Sequence, residues 1–154
     1  MKRPQPGERA PDFAGATGEG KRVKLADFRG RKLVLYFYPR DDTPGCTAQA
    51  CSLRDHNAEI AARGAAILGV SAQDAASKQR FAGRYGLNFP LLADTDNAVA
   101  KAYGVLGSGL FGLARAVVGA YERVTFIIDE QGRIAHVIDH PDTREHGEEV
   151  LKLL

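Results

Sequence analysis

The apolar run Leu33-Val34-Leu35-Tyr36-Phe37 and the turn that follows it constrain this chain more than any other stretch. Consecutive large apolar residues suit a strand buried on both faces. Pro39 can end that strand, and Asp41, Asp42, Thr43, Pro44 and Gly45 are turn residues that precede a long segment with few helix breakers. Thr43 stands where it can cap a helix that begins near Pro44 or Gly45. The stretch from Tyr38 to Asp55, YPRDDTPGCTAQACSLRD, therefore reads as a strand-to-helix junction, and it holds both cysteines of the chain.

Cys46 is expected in the first turn of that helix. Unpaired backbone N–H groups and the positive end of the helix dipole favour an anion there, so the thiolate is favoured, and the thiolate is the nucleophile. The plain alternative is a small buried cysteine without chemistry. Cys51 lies five residues further on. Within one helix that spacing leaves the two Cα atoms about 8.5 Å apart, whereas a disulfide needs about 4.4 to 6.8 Å. The pair could bond only after the first turn unwinds, which predicts a switch between a helical dithiol and a locally unfolded disulfide. A permanent staple fits this geometry poorly, and two sulfurs with no neighbouring His pair do not make a tetrahedral metal site.

These residues resemble a known family. Pro39-x3-Thr43-x2-Cys46 is similar to the active-site signature of peroxiredoxins, and YFYPRDDTPGCTAQACSLRD resembles the Q-type or bacterioferritin comigratory protein group. The resemblance runs from Gly7-x3-Pro11-Asp12-Phe13 through Val124-Thr125-Phe126-Ile127-Ile128-Asp129 to the C-terminal helix. It implies a thioredoxin-like fold that reduces hydroperoxides through Cys46 as the peroxidatic residue, with Cys51 as resolving cysteine and Arg123 completing the site from a late strand. Pro39 would shape and shield the pocket, and Thr43 with the backbone N–H groups of Gly45 and Cys46 would hold the peroxide oxygens. It further implies recycling by thioredoxin, with glutaredoxin as the other candidate reductant, a cycle without metal or organic cofactor, and a monomer. A thiol-disulfide oxidoreductase lacks the expected Cys-x2-Cys spacing here. A redox-sensing binding module would use the same switch without turnover.

The rest of the chain fits a scaffold. Its 154 residues suit one domain spanning 1–154. A net charge of +2, from 21 basic and 19 acidic residues, with no long basic cluster, argues against nucleic acid or a membrane surface as partner. The start, MKRPQPGERAPDF, has no apolar stretch of the kind a secretory signal carries, so a cytoplasmic, disulfide-poor protein is expected. Residues 13–25 suggest an N-terminal β-hairpin, 65–70 a buried strand, 75–85 a helix stopped by Gly86, and 96–103 another stopped by Gly104. Residues 123–128 and 133–138 flank Asp129-Glu130-Gln131-Gly132 as a hairpin, and 145–154 forms a closing helix. The expected class is α/β, a central mixed sheet flanked by helices.

Three features stay outside that frame. The segment 104–120, GVLGSGLFGLARAVVGA, is expected to be a loop with a short helix at the site's rim, and exposed Phe111 and Leu113 would mark an interface. His56, His136, His140 and His146 are scattered and suit surface or packing roles. Asp41 and Asp42 are expected to form the turn, since a carboxylate beside a thiolate opposes its ionisation.

Overall fold

The computed structural model describes residues 2–107, 113, 114, 117 and 120–154. In chain order it contains β1 (Ala14–Thr17), β2 (Arg22–Lys24), a 3-10 turn at Leu25–Phe28, β3 (Lys32–Phe37), α1 (Pro44–Ala62), β4 (Ala65–Ser71), α2 (Ala75–Tyr85), β5 (Leu91–Ala93), α3 (Ala98–Ala102), β6 (Val124–Ile128), β7 (Ile134–Ile138) and α4 (His146–Leu151).

The strands form one mixed sheet in the order β2-β1-β5-β4-β3-β6-β7. β3 runs parallel to β4 and antiparallel to β6, so the apolar run singled out in the sequence lies inside the sheet with a neighbour on each side. Its period-2 alternation divides the core. Leu33, Leu35 and Phe37 join Phe13, Tyr103 and Phe126 on one face, where α3 packs. Val34, Tyr36 and Tyr38 join Cys46, Ala50, Leu53, Phe81 and Val150 on the other, beneath α1, α2 and α4. Gly69 on β4 admits the Tyr36 ring across the sheet, since a Cβ there would stand 2.8 Å from that ring.

Local signals placed most elements where expected. α2 ends at Tyr85 because Gly86 takes the left-handed conformation at φ 61°, and it begins where the Asp74 carboxylate accepts from the Ser77 N–H at 2.9 Å. The N-terminal hairpin is β1 against β2. The helix expected over 96–103 is shorter, because Asn97 adopts φ 61° and the buried Asp94 carboxylate accepts from the N–H groups of Val99 and Ala100. That bond starts the helix later. The short strand β5 carried no alternation of its own and is defined by its pairing with β4 and β1.

Of the segment 104–120, Val105 and Leu106 are buried in the core, while Leu113 is 63% and Val117 79% exposed. The expected rim helix and Phe111 fall largely outside the described residues. Among the described residues no helix is long and apolar enough to cross a membrane.

The closing helix α4 docks on α1 through close backbone approach. A Cβ on Gly147 would stand 2.4 Å from His56 Nδ1 and 2.6 Å from the Ser52 carbonyl oxygen, and the Gly147 N–H donates to Ser52 Oγ at 2.9 Å. Replacing Gly147 by Ala should therefore push the two helices apart and destabilise the fold by about 2 kcal/mol or more, read from urea unfolding.

His146, beside it, is fully buried, with Nε2 2.8 Å from Thr125 Oγ1 and Nδ1 2.8 Å from Glu149 Oε1. Burial lowers its pKa below the ordinary histidine value; the Glu149 carboxylate pulls it up and the Arg123 charge pushes it down. The folded chain thus binds this proton less readily than the unfolded one. The resulting stability is fully present above about pH 6.5 and is lost as pH falls from there through the lowered native value. Urea unfolding across that window should show the acid loss in the natural protein and a smaller loss in His146→Gln.

Candidate active site

β3 delivers the chain to the site and stops at Phe37; Tyr38 still donates its N–H to the Val70 carbonyl at 3.2 Å, and Pro39 follows half-buried at the turn. Asp42 takes φ 59°, which turns the chain, and Thr43 is the extended residue just before α1, with Pro44 at its first position. The helix begins as the sequence suggested. Thr43 occupies the cap position, yet its side chain makes no capping bond: Oγ1 donates to the Arg40 carbonyl at 3.1 Å instead. That corrects the expected capping role and leaves the oxygen lone pairs of Thr43 as acceptors.

Thr47 makes the first intrahelical bond, to the Thr43 carbonyl at 2.8 Å. Helix geometry therefore leaves the N–H groups of Gly45 and Cys46 without an acceptor inside the helix, directed at its mouth. Cys46 is buried, 1% exposed, in this first turn. Along the same helix Ala50, Leu53 and Ile60 are buried and Asn57 is half-buried, and Gly64 lies past the helix end.

Arg123 reaches the sulfur from the start of the neighbouring strand β6. β6 pairs with β3 so that Val124 faces Phe37, which sets Arg123 at the end of β3 where α1 opens. Its Nη2 is 3.4 Å from Cys46 Sγ, and its Nη1 donates to Gln49 Oε1 at 2.6 Å. The guanidinium also lies against the helix backbone, since a Cβ on Gly45 would be 3.1 Å from Nη2. A permanently protonated fork can hold both a sulfur anion and a neighbouring amide in this way.

Gln49 was not singled out in the sequence. It stands one turn beyond Cys46, is fully buried, and its Nε2 has no hydrogen-bond partner among the described residues; the same holds for the buried Tyr36 hydroxyl. An uncharged polar residue on an otherwise apolar helical stripe was the available signal. Burial, then the charges of Cys46 and Asp41, raise the pKa of Tyr36 well above its ordinary value, so it stays a neutral donor.

Cys51 is half-buried, further along α1, and both thiols are free. A shared helix keeps them about 8.5 Å apart at Cα, outside disulfide reach. Its neighbour Arg54 donates to the Tyr85 carbonyl at 2.5 Å, which ties this part of α1 to α2. Among the described residues no group of three or more His, Cys, Asp or Glu is placed to hold a metal ion.

The two turn aspartates do more than turn. Asp42 faces outward, accepting from Arg84 at 2.8 Å and from the Tyr85 hydroxyl at 2.7 Å. Asp41 points into the protein and is ion-paired with a buried lysine, Lys78.

Comparison with known proteins matches the chain over nearly its whole length. The AhpC/TSA family profile matches residues 6–137. The chain is 41% identical over 146 residues to a putative peroxiredoxin bcp of Coxiella burnetii, covering 94% of this chain and 95% of that protein. It is 40% identical over 148 residues to peroxiredoxin Bcp of Escherichia coli, covering 96% and 94%. The crystal structure of peroxidoxin BcpB from Mycobacterium tuberculosis superposes with a TM-score of 0.86 at 29% identity, covering 98% of this chain and 96% of that one. With a family profile over most of its length and full-length relatives at this identity, the chain belongs to the AhpC/TSA family and has the thioredoxin-like fold of its peroxiredoxins.

Proposed function

We propose that this thiol peroxidase reduces hydroperoxides through Cys46 and regenerates it through Cys51. The observation that carries the reading is the contact of Arg123 Nη2 with Cys46 Sγ at 3.4 Å in the first turn of a helix. A guanidinium and an open helix end both favour the thiolate over the thiol.

The thiolate attacks the proximal oxygen of the peroxide, forming an S–O bond as the O–O bond breaks; the distal oxygen leaves as hydroxide or alkoxide and takes up a proton. The N–H groups of Gly45 and Cys46 and the Arg123 guanidinium supply donors where negative charge develops. Thr43 Oγ1, having spent its proton on the Arg40 carbonyl, is suited to accept from the peroxide O–H. Pro39 walls the pocket at the turn. The orientation of Arg123 is held by Gln49.

Cys46 is left as sulfenic acid. Attack by the Cys51 thiolate forms the internal disulfide and expels water, and an external dithiol then returns two electrons. Because both cysteines lie in α1, this step requires the first turns of that helix to open. Thioredoxin is the proposed reductant, glutaredoxin the substitute, and the setting a reducing cytoplasm with the chain acting as a monomer. Two free thiols suit that setting.

Stopped-flow mixing with micromolar peroxide should oxidise Cys46 in far less than a second; a rate like that of free cysteine would remove the peroxidase assignment. Cys51→Ser should keep the first oxidation and lose turnover with a thioredoxin system, and continued turnover would end the resolving role of Cys51. In Arg123→Met the first step should slow about a hundredfold, the loss expected for one donor at a charge-developing centre; a natural rate would contradict its placement.

A further inference from the structure

A buried polar cluster beside the active-site turn has no part in the steps above. Lys78, on α2, is 0% exposed, and its ammonium donates to Asp41 Oδ1 at 3.0 Å and Oδ2 at 3.2 Å, and also to Ser71 Oγ. The Asp41 side chain is 4% exposed. It accepts further from the Tyr38 hydroxyl at 2.6 Å and from Ser77 Oγ at 2.7 Å, and its backbone N–H donates to Gln73 Oε1 at 3.1 Å. The lysine stem is received at Gly18, where a Cβ would stand 2.9 Å from Lys78 Cβ. All three ammonium protons and both carboxylate oxygens are therefore used inside the fold.

Burying such a pair is costly, and removing one partner leaves a charge without compensation. Its position supplies a reason for keeping it. Asp41 stands in the turn that leads into α1, five residues before Cys46, and the charges of both raise the pKa of the buried Tyr36. A carboxylate there without a cation would oppose an anionic sulfur at the helix mouth.

We propose that Lys78 is a positioning residue for the peroxidatic thiolate: by pairing with Asp41 inside the fold it cancels the negative charge that the active-site turn would otherwise turn on Cys46, and it pins that turn to α2. This rests on the assignment of Cys46 as the reacting thiol. The other charged or titratable groups facing the pair are Tyr38, with Asp74 at the start of α2 and Asp94 after β5. Arg123 touches the sulfur, the buried Tyr36 lies within the field of Cys46, and Cys51 follows on the same helix. Arg40 sits exposed in the turn, and Asp42 is directed outward to Arg84. None of these changes in the variants below, so a shift reports on the Lys78–Asp41 pair.

The test measures Cys46 oxidation by hydrogen peroxide in the stopped flow from about pH 5 to 9, with thermal unfolding recorded in parallel. Lys78→Met leaves the carboxylate alone and should raise the pH of half-maximal rate by about one unit, the order expected of one uncompensated charge in a partly desolvated site. Asp41→Asn leaves the cation alone and should lower it. The Asp41→Asn/Lys78→Met double variant removes both charges and should return the midpoint close to that of the natural protein, even with a lowered Tm. A lower Tm with an unmoved midpoint in Lys78→Met, a raised midpoint in Asp41→Asn, or a double variant still shifted would each overturn the proposal. Should Lys78→Met fail to fold, Asp41→Asn decides it: its unpaired cation should lower the midpoint, and an unmoved midpoint would overturn the proposal. A natural protein whose Cys46 is unreactive at every pH would instead sink the underlying peroxidase assignment.

Discussion

The guanidinium of Arg123 against Cys46 is the contact around which the rest of the structure is arranged. It requires the end of β3, the beginning of β6 and the mouth of α1 to meet at one point. The antiparallel register that sets Val124 opposite Phe37 achieves this for residues 77 apart in sequence. The register is held by burial: Leu35 and Phe126, like Phe37 and Val124, are enclosed in the same core, and a slip of one residue would turn each to the other face. The Arg123–Cys46 contact and the core packing are thus two consequences of one pairing.

The same arrangement bounds where α1 can open. On its N-terminal side the turn is fastened to α2, by Asp41 to Lys78 and by Asp42 to Arg84 and Tyr85. On its C-terminal side Ser52 and His56 lie against Gly147 of α4. Between these fastenings stand Thr43 to Cys51, the segment that the proposed disulfide needs to rearrange. Local opening of a few residues between fixed ends costs less than unfolding the domain, which suits a step repeated in every cycle. Within that segment Cys46, Gln49 and Ala50 are buried, so packing favours the helical form with both thiols free.

Electrostatics at the site is a matter of where charges are sent. Two aspartates stand in the turn before the sulfur proposed to react as an anion, an arrangement that would defeat that role if both faced the helix mouth. One is directed to solvent and an arginine, the other into a cage with a buried lysine, while Arg123 faces the sulfur. The buried pair is costly to desolvate and is held by hydrogen bonds with Tyr38, Ser71, Gln73 and Ser77, in keeping with a role at the site more than in stability.

What could be read from the chain by itself was whatever depends on near neighbours in sequence. The apolar run of β3, the turn Asp42-Thr43-Pro44, the start of α1 with Cys46 in its first turn, the stop of α2 at Gly86 and the β6–β7 hairpin all follow from local conformational preference and hydrophobic period. Arg123 was placed by family resemblance, because nothing local marks one arginine among many. The tertiary structure alone decided which polar groups meet: Gln49 on Arg123, Asp41 on Lys78, Thr43 on Arg40 rather than on its own helix, and Asp94 as the start of α3. Hydrogen bonds and ion pairs are short-ranged and directional, so their partners are chosen by how the elements pack, and sequence spacing carries almost no record of that choice.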